Sequence, residues 1–360
     1  MTSAAAVPDN APILAPVFPP GDTLRLSNAA LKNYMICPRL FYYRQVLFLP
    51  PPGQPALSLG LLVHRLLEWL NTTYEPGNPE LGYHAARLQQ QIERIFVPLE
   101  TLADDPARQA HVVACGLKEA DWKLMAPLGP LGWAAFAEET LAAVSDMAAR
   151  GYFARYGQPR QIVAEAGFEM PAPFWSTQDH PVVLSGYIDA LIQDEAGHWH
   201  IVDYKRFGSG VFATKPETCR AQFLTRLLTP LQDTAGFDER LNSAYPVDYQ
   251  LPLYWLAFQQ SDTLAAFRAG GPLRDLSIQL IRPAFASNPD QGAIELSVEA
   301  SVLADAMPAL TEEIRERIIQ PLGQATHFAI RPGPACARCA YAAICEGPAM
   351  AGLMETEENA

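Results

Sequence analysis

Two acids and a lysine stand close together in mid-chain, in Gly186-Tyr187-Ile188-Asp189 and Val202-Asp203-Tyr204-Lys205. Both stretches alternate apolar and polar residues, the period of a half-buried strand. In a strand, residues i and i+2 share a face. Asp203 and Lys205 therefore point one way, and Val202 and Tyr204 the other. Asp189 lies on a second strand and can approach the same spot. Two carboxylates and an ammonium on one sheet surface are costly unless something binds them. A divalent cation and a phosphate would do so.

A second group of reactive side chains lies near the C-terminus: Cys336, Cys339 and Cys345, separated by two and then five residues. Four thiolates complete a cubane iron–sulfur cluster or a tetrahedral zinc site. Cys37, set before the helix-breaking Pro38, is the best fourth. Closing that site would clip the chain across about 300 residues, and long-range clips stabilise strongly. Cys115 and Cys219 stand alone and read as plain thiols.

The elements that must position these groups follow from the patterning. Gln193 to His198 is polar with a glycine, hence a hairpin loop joining the two acidic strands. Ser27 is an N-cap for a helix carrying Leu31, Tyr34 and Met35. Gly60 to Leu70 is an amphipathic helix on Leu62, Leu66 and Leu70, with His64 and Glu68 one turn apart; taken locally, His64 is a surface histidine with a helical partner. Residues 80–157 read as mostly helical and 161–170 as a strand. Gly208-Ser209-Gly210 reads as a flexible loop. Tyr249 to Phe258 is a helix with Pro252 in its first turn and Gln250 and Tyr254 on one side; taken locally, Tyr254 is a core aromatic. Leu276 to Ile281 is a late strand, and 297–319 a long amphipathic helix. The domain reading is a disordered Pro/Ala-rich arm at 1–22, one domain over 23–348 with a helical insertion at about 75–158, and an acidic tail at 349–360.

The 360 residues, 49% of them hydrophobic, suffice for one large core. No run approaches a membrane span, and the N-terminus lacks the pattern of a secretion signal, so the expectation is a cytoplasmic protein with no membrane partner. The net charge of -13 argues against broad binding of nucleic acid. It is compatible with an enzyme that has a local basic lining. Arg39, Arg44, Lys205, Arg206, Lys215, Arg220 and Arg226 lie near the acidic and cysteine segments in sequence.

Taken together and in order, these pieces resemble the PD-(D/E)XK nuclease superfamily, in its RecB/AddB-like iron–sulfur branch, which is related to the CRISPR-associated adaptation nucleases. The resemblance runs from Leu26-Ser27 and Cys37-Pro38-Arg39 through Gly60 to His64, Gly186 to Asp189, Asp203-Tyr204-Lys205 and Gln250-x-x-x-Tyr254 to Phe328–Cys345. The spacers between His64 and Asp189, and between Lys205 and Gln250, are longer than the pattern. It implies an α/β restriction-endonuclease-like core, a central mixed sheet flanked by helices, with a 4Fe-4S staple on Cys37, Cys336, Cys339 and Cys345 joining the two ends.

The resemblance further implies that His64, Asp189, Asp203 and the Tyr204 carbonyl hold Mg²⁺ or Mn²⁺. Lys205 orients or deprotonates the attacking water, and Glu68 steadies His64. Gln250 supports Lys205 or a phosphate, and Tyr254 turns a ring face to a base or sugar, so that both meet DNA. The implied activity is a DNA exonuclease of repair or recombination acting on single strands or duplex ends. No Walker-type motif is present, so any helicase is a separate subunit. The alternatives are a non-catalytic DNA-processing subunit and an adaptation-type nuclease.

Overall fold

In the computed structural model the described residues are 17–50, 55–206, 224, 227–228, 249–281, 294–332, 336 and 339–348. Cys219, the Gly208-Ser209-Gly210 loop, Lys215, Arg220, Arg226 and the tail at 349–360 lie outside them. So do residues 1–16. Residues 17–22, expected in the disordered arm, are instead tied down: the Val17 amide donates to the Ala325 carbonyl at 2.8 Å and the Gly21 amide to Asp179 at 2.6 Å.

The acidic hairpin is the centre of the sheet. Strand β3 (Val182–Gln193) runs antiparallel to β2 (Gln161–Pro171) along its whole length. Its other edge is shared end to end: β1 (Leu24–Leu26) pairs parallel with residues 182–184, and β4 (Trp199–Arg206) antiparallel with 190–193. Beyond β4 come β5 (Leu273–Ile281), parallel to it, and β6 (Ile294–Glu299), antiparallel. The result is a mixed sheet of six strands among the described residues. His200, between Asp275 (3.0 Å) and Asp194 (3.2 Å), pins the far end of the hairpin.

Helices cover both faces. On one side lie α1 (Asn28–Ile36), capped by the Ser27 hydroxyl as expected, α8 (Gln250–Gln260) and α9 (Ala300–Ile314). With Leu184, Ile188, Ile201 and Leu276 they form the first core. The long helix expected over 297–319 begins later, because Ile294–Glu299 alternates buried and open residues and pairs with β5. On the other side lies α3 (Pro55–Thr72), longer than its leucine spacing alone foretold. It packs with the insertion helices α4 (Ala85–Phe96), α5 (Asp105–Ala114), α6 (Glu119–Met125) and α7 (Gly129–Ala149) over Ala190, Ile192, Val202 and Tyr204.

The strand alternation slips by one residue at a single level of the sheet. In β3, Leu184 and Ile188 face the first core, but so does Leu191, while Ala190 and Ile192 face the second. In β2, Ala166 and Phe168 belong to the first core, and so does Val163. Glu165, at the slip in β2, has φ +51°, a left-handed conformation that a side chain adopts only at some cost. The register places it opposite Asp189, between the pairs Ala164/Ala190 and Ala166/Ile188. The irregularity turns both carboxylates toward α3.

Candidate active site

The β3–β4 ladder ends at Ala190/Val202, one step before Asp189 and Asp203 would pair. There the strands part, and the Tyr204 amide donates instead to Asp189 Oδ2 at 2.7 Å. Across from it His64 on α3 brings Nδ1 to 3.4 Å from the same oxygen. Glu165 completes the group: ligand atoms of His64, Glu165 and Asp189 lie within 4.8 Å of one another, the one such trio of His, Cys, Asp or Glu among the described residues. An imidazole and two carboxylates are hard-to-borderline donors that suit Mg²⁺ or Mn²⁺.

The electrostatics of the group favour a positive charge beside it. Burial, then the negative charge of Asp203, pushes the Asp189 carboxyl well above the usual range, with Lys205 opposing. Burial, then Glu68, likewise raises Glu165. Burial, then Lys205, lowers His64 to about 4, against a hydrogen bond to the Tyr204 backbone. A neutral imidazole is the form that ligates a metal.

Asp203 is fully buried, and Lys205 Nζ sits 2.6 Å from its Oδ2. Gln250 Nε2 donates to Asp203 Oδ1, and to the Tyr254 hydroxyl at 2.6 Å. The Tyr254 hydroxyl is 3.4 Å from the same Oδ1. Gln250 and Tyr254 thus hold the acid-x-lysine strand from α8. The expectation that Tyr254 turns a ring face to a base is corrected here. The residue is only 5% exposed, and its ring meets the edge of Phe168 inside the core. Glu68 is also corrected: it is engaged by Arg65 and by Lys118 at 3.0 Å, not by His64. The Arg65–Glu68–Lys118 set, with Asp121 at 3.3 Å from Arg65, fastens α3 to the insertion.

Behind the strand, the Tyr204 hydroxyl lies 3.0 Å from that of Tyr152 and 3.3 Å from that of Tyr83, which are themselves 3.1 Å apart. This buried triangle fixes the strand on the face opposite Asp203 and gives the insertion a positioning role that sequence reading missed. Glu165 was missed as well. Its one signal was a lone carboxylate inside the apolar run Ile162-Val163-Ala164-Glu165-Ala166, a burial cost with no visible partner.

Glu165→Gln should therefore move two observables in opposite directions. Its raised pKa means that the carboxylate is destabilising in the folded, metal-free protein, so the neutral amide should raise the metal-free melting temperature. Mn²⁺ affinity should fall at least about tenfold. Unchanged affinity in a direct titration would remove Glu165 from the metal site.

At the other end, four thiols gather between the junction of α1 with α2 (Pro38–Phe41), where Cys37 stands, and the C-terminal segment. The Cys339 thiol is raised by burial, with Cys345, Cys37 and Cys336 adding to the rise. Cys37 Sγ accepts from the Arg331 amide at 3.3 Å, and Cys345 Sγ from the Gly347 amide at 3.4 Å. A Cβ at 347 would press on Cys336 Sγ at 3.2 Å and Cys345 Sγ at 3.4 Å. Phe41 and Tyr42 pack on Phe328, and the Tyr341 hydroxyl donates to Leu49 at 2.6 Å. Cys115 is buried apart from this group.

A mixed sheet between helical layers is consistent with a restriction-endonuclease-like fold, and acids, an imidazole and a lysine meet where its strands part as a candidate metal site. The sequence matches the model of the PD-(D/E)XK nuclease superfamily over residues 25–346, and the chain belongs to that superfamily, whose members are generally nucleases acting on DNA. No curated protein matches it. Among the described residues, no helix is long and apolar enough to cross a membrane.

Proposed function

We propose that this protein is a Mg²⁺- or Mn²⁺-dependent deoxyribonuclease of the RecB/AddB-like iron–sulfur branch, working as an exonuclease in repair or recombination. The observation that carries the reading is the meeting of His64, Glu165 and Asp189 beside the Asp203–Lys205 pair. His64, Glu165, Asp189 and Asp203 would hold the cation, with the Tyr204 carbonyl near His64. A bound divalent ion lowers the pKa of a water and neutralises a scissile phosphate.

This chain's residues supply the rest. Lys205, held by Asp203, presents an ammonium where charge grows on the phosphate and orients the attacking water. Gln250 and Tyr254 fix the Asp203 carboxylate so that Lys205 stays aimed. Cys37, Cys336, Cys339 and Cys345 would hold a 4Fe-4S cluster as a staple. A separate helicase chain would supply any unwinding.

The test is digestion of linear and covalently closed DNA, single- and double-stranded, with Mg²⁺ or Mn²⁺ and with chelator. Metal-dependent loss of linear DNA alone is expected. No hydrolysis under any condition would overturn the nuclease reading, and cutting of closed circles would overturn the exonuclease one.

Metal binding should also release protons. His64 is already neutral at pH 6 to 8, so the protons displaced come from the carboxyls that burial raises, Asp189 and Glu165. Affinity should rise with pH as those groups ionise. Calorimetric titration of Mn²⁺ in buffers of different ionisation enthalpy checks this, and buffer-independent heats would contradict it.

A further inference from the structure

On the α3 side of the sheet, the insertion core stops at the acid level. Beyond it the same face is open: Glu165, Gly167 and Glu169 on β2, and Ser185, Tyr187 and Asp189 on β3, alternate with residues of the first core. Tyr187 is 66% exposed. It stands two residues before Asp189, about 7 Å along the strand, a distance of the order of one nucleotide step. Its ring lies across Gly167, its register partner, where a Cβ would sit 3.1 Å from Cε1. The next register pair mirrors it: Phe168 covers Gly186 on the inner face, where a Cβ would meet the ring at 2.8 Å. Each glycine is roofed by an aromatic ring of the partner strand, one turned into the core and one to solvent.

We infer that Tyr187, lying flat on Gly167, is a stacking platform for the base of the nucleotide next to the scissile phosphate. This rests on the nuclease reading and adds the form of substrate: a single strand or a frayed end, since a base stacked between neighbours inside a duplex offers no free face. An aromatic platform serves every base alike, so no sequence preference follows. The inner member of the mirrored pair cannot share the task, because Phe168 is buried against Tyr254, which holds Asp203.

The experiment is equilibrium binding of a single-stranded oligonucleotide carrying 2-aminopurine, with Ca²⁺ in place of Mg²⁺, for the wild type, Tyr187→Phe and Tyr187→Leu. Leucine keeps an apolar cover on Gly167, so folding is preserved while the stacking face is lost. Quenching of 2-aminopurine is expected in the wild type and in Tyr187→Phe. In Tyr187→Leu the quenching should vanish and binding should weaken roughly 5- to 150-fold. With an abasic nucleotide at that position, the three proteins should bind equally. Equal quenching by Tyr187→Leu, or an equal leucine penalty on the abasic strand, would overturn the platform while leaving the nuclease reading intact. Quenching without any hydrolysis under Mg²⁺ would overturn the nuclease reading and, with it, the placement of the stacked base beside a scissile phosphate, leaving Tyr187 as a base-stacking contact alone. Absence of binding would overturn both.

Discussion

Asp203→Asn should reduce DNA hydrolysis by at least about a thousandfold while the protein stays folded. The amide keeps an oxygen at Oδ1 for Gln250 and Tyr254, so the hydrogen bonds from α8 survive. What disappears is the charge that faces Lys205 at 2.6 Å and would complete the cation's ligand set. Two effects then compound: weaker metal binding and a lysine no longer held on the reaction line. Residues that act as a unit lose activity together, so Lys205→Ala alone, or with Asp203→Asn, should cost nearly as much. A melting temperature close to wild type together with activity near background is the expected pair of readings. Retained activity in purified Asp203→Asn protein would defeat the assignment of the catalytic strand.

Cys339→Ser is expected to have the largest effect on stability. The Cys339 thiol is within electrostatic reach of the other three, and a cluster there would join segments about 300 residues apart. Loop closure of that length is worth up to roughly 5 kcal/mol, or on the order of 10 °C in melting temperature for a domain of this size. The two ends also touch through Phe41, Tyr42 and Phe328, and Arg39 donates its amide to Ala329 at 3.2 Å. Those contacts set a floor, so the variant should be soluble at low temperature but protease-sensitive. Visible absorbance, iron and sulfide should be lost together. Full iron content with unchanged melting would show that the cysteines are not a staple, and stoichiometric zinc would replace the cluster with a single ion.

The hairpin was legible because two strands with polar inner positions repeat every second residue and a glycine-bearing polar loop joins them. His64 was legible only through its place in the ordered set of motifs; its local spacing with Glu68 pointed to the wrong partner, since Arg65 and Lys118 take Glu68. Glu165 was hidden because its contribution depends on a one-residue slip in β2 and β3, and a period-two pattern gives no sign of such a slip. Tyr254 was half legible: helical spacing put it beside Gln250, but which way its ring faced depended on Phe168, far away in sequence. The tyrosine triangle needed three distant segments to meet, and no local pattern encodes that. That the cysteines gather was legible in their spacing, because Cys336, Cys339 and Cys345 stand within ten residues and Cys37 sits at a helix break.

The central claim is that an imidazole from α3 and the carboxylates where the strands part share one divalent cation. Mn²⁺ bound to the protein, observed by pulsed electron paramagnetic resonance, tests it most directly. The account expects one tightly bound Mn²⁺ with coupling to a single histidine nitrogen, lost in His64→Gln. Mn²⁺ that binds without nitrogen coupling, or coupling that survives in His64→Gln, would contradict it.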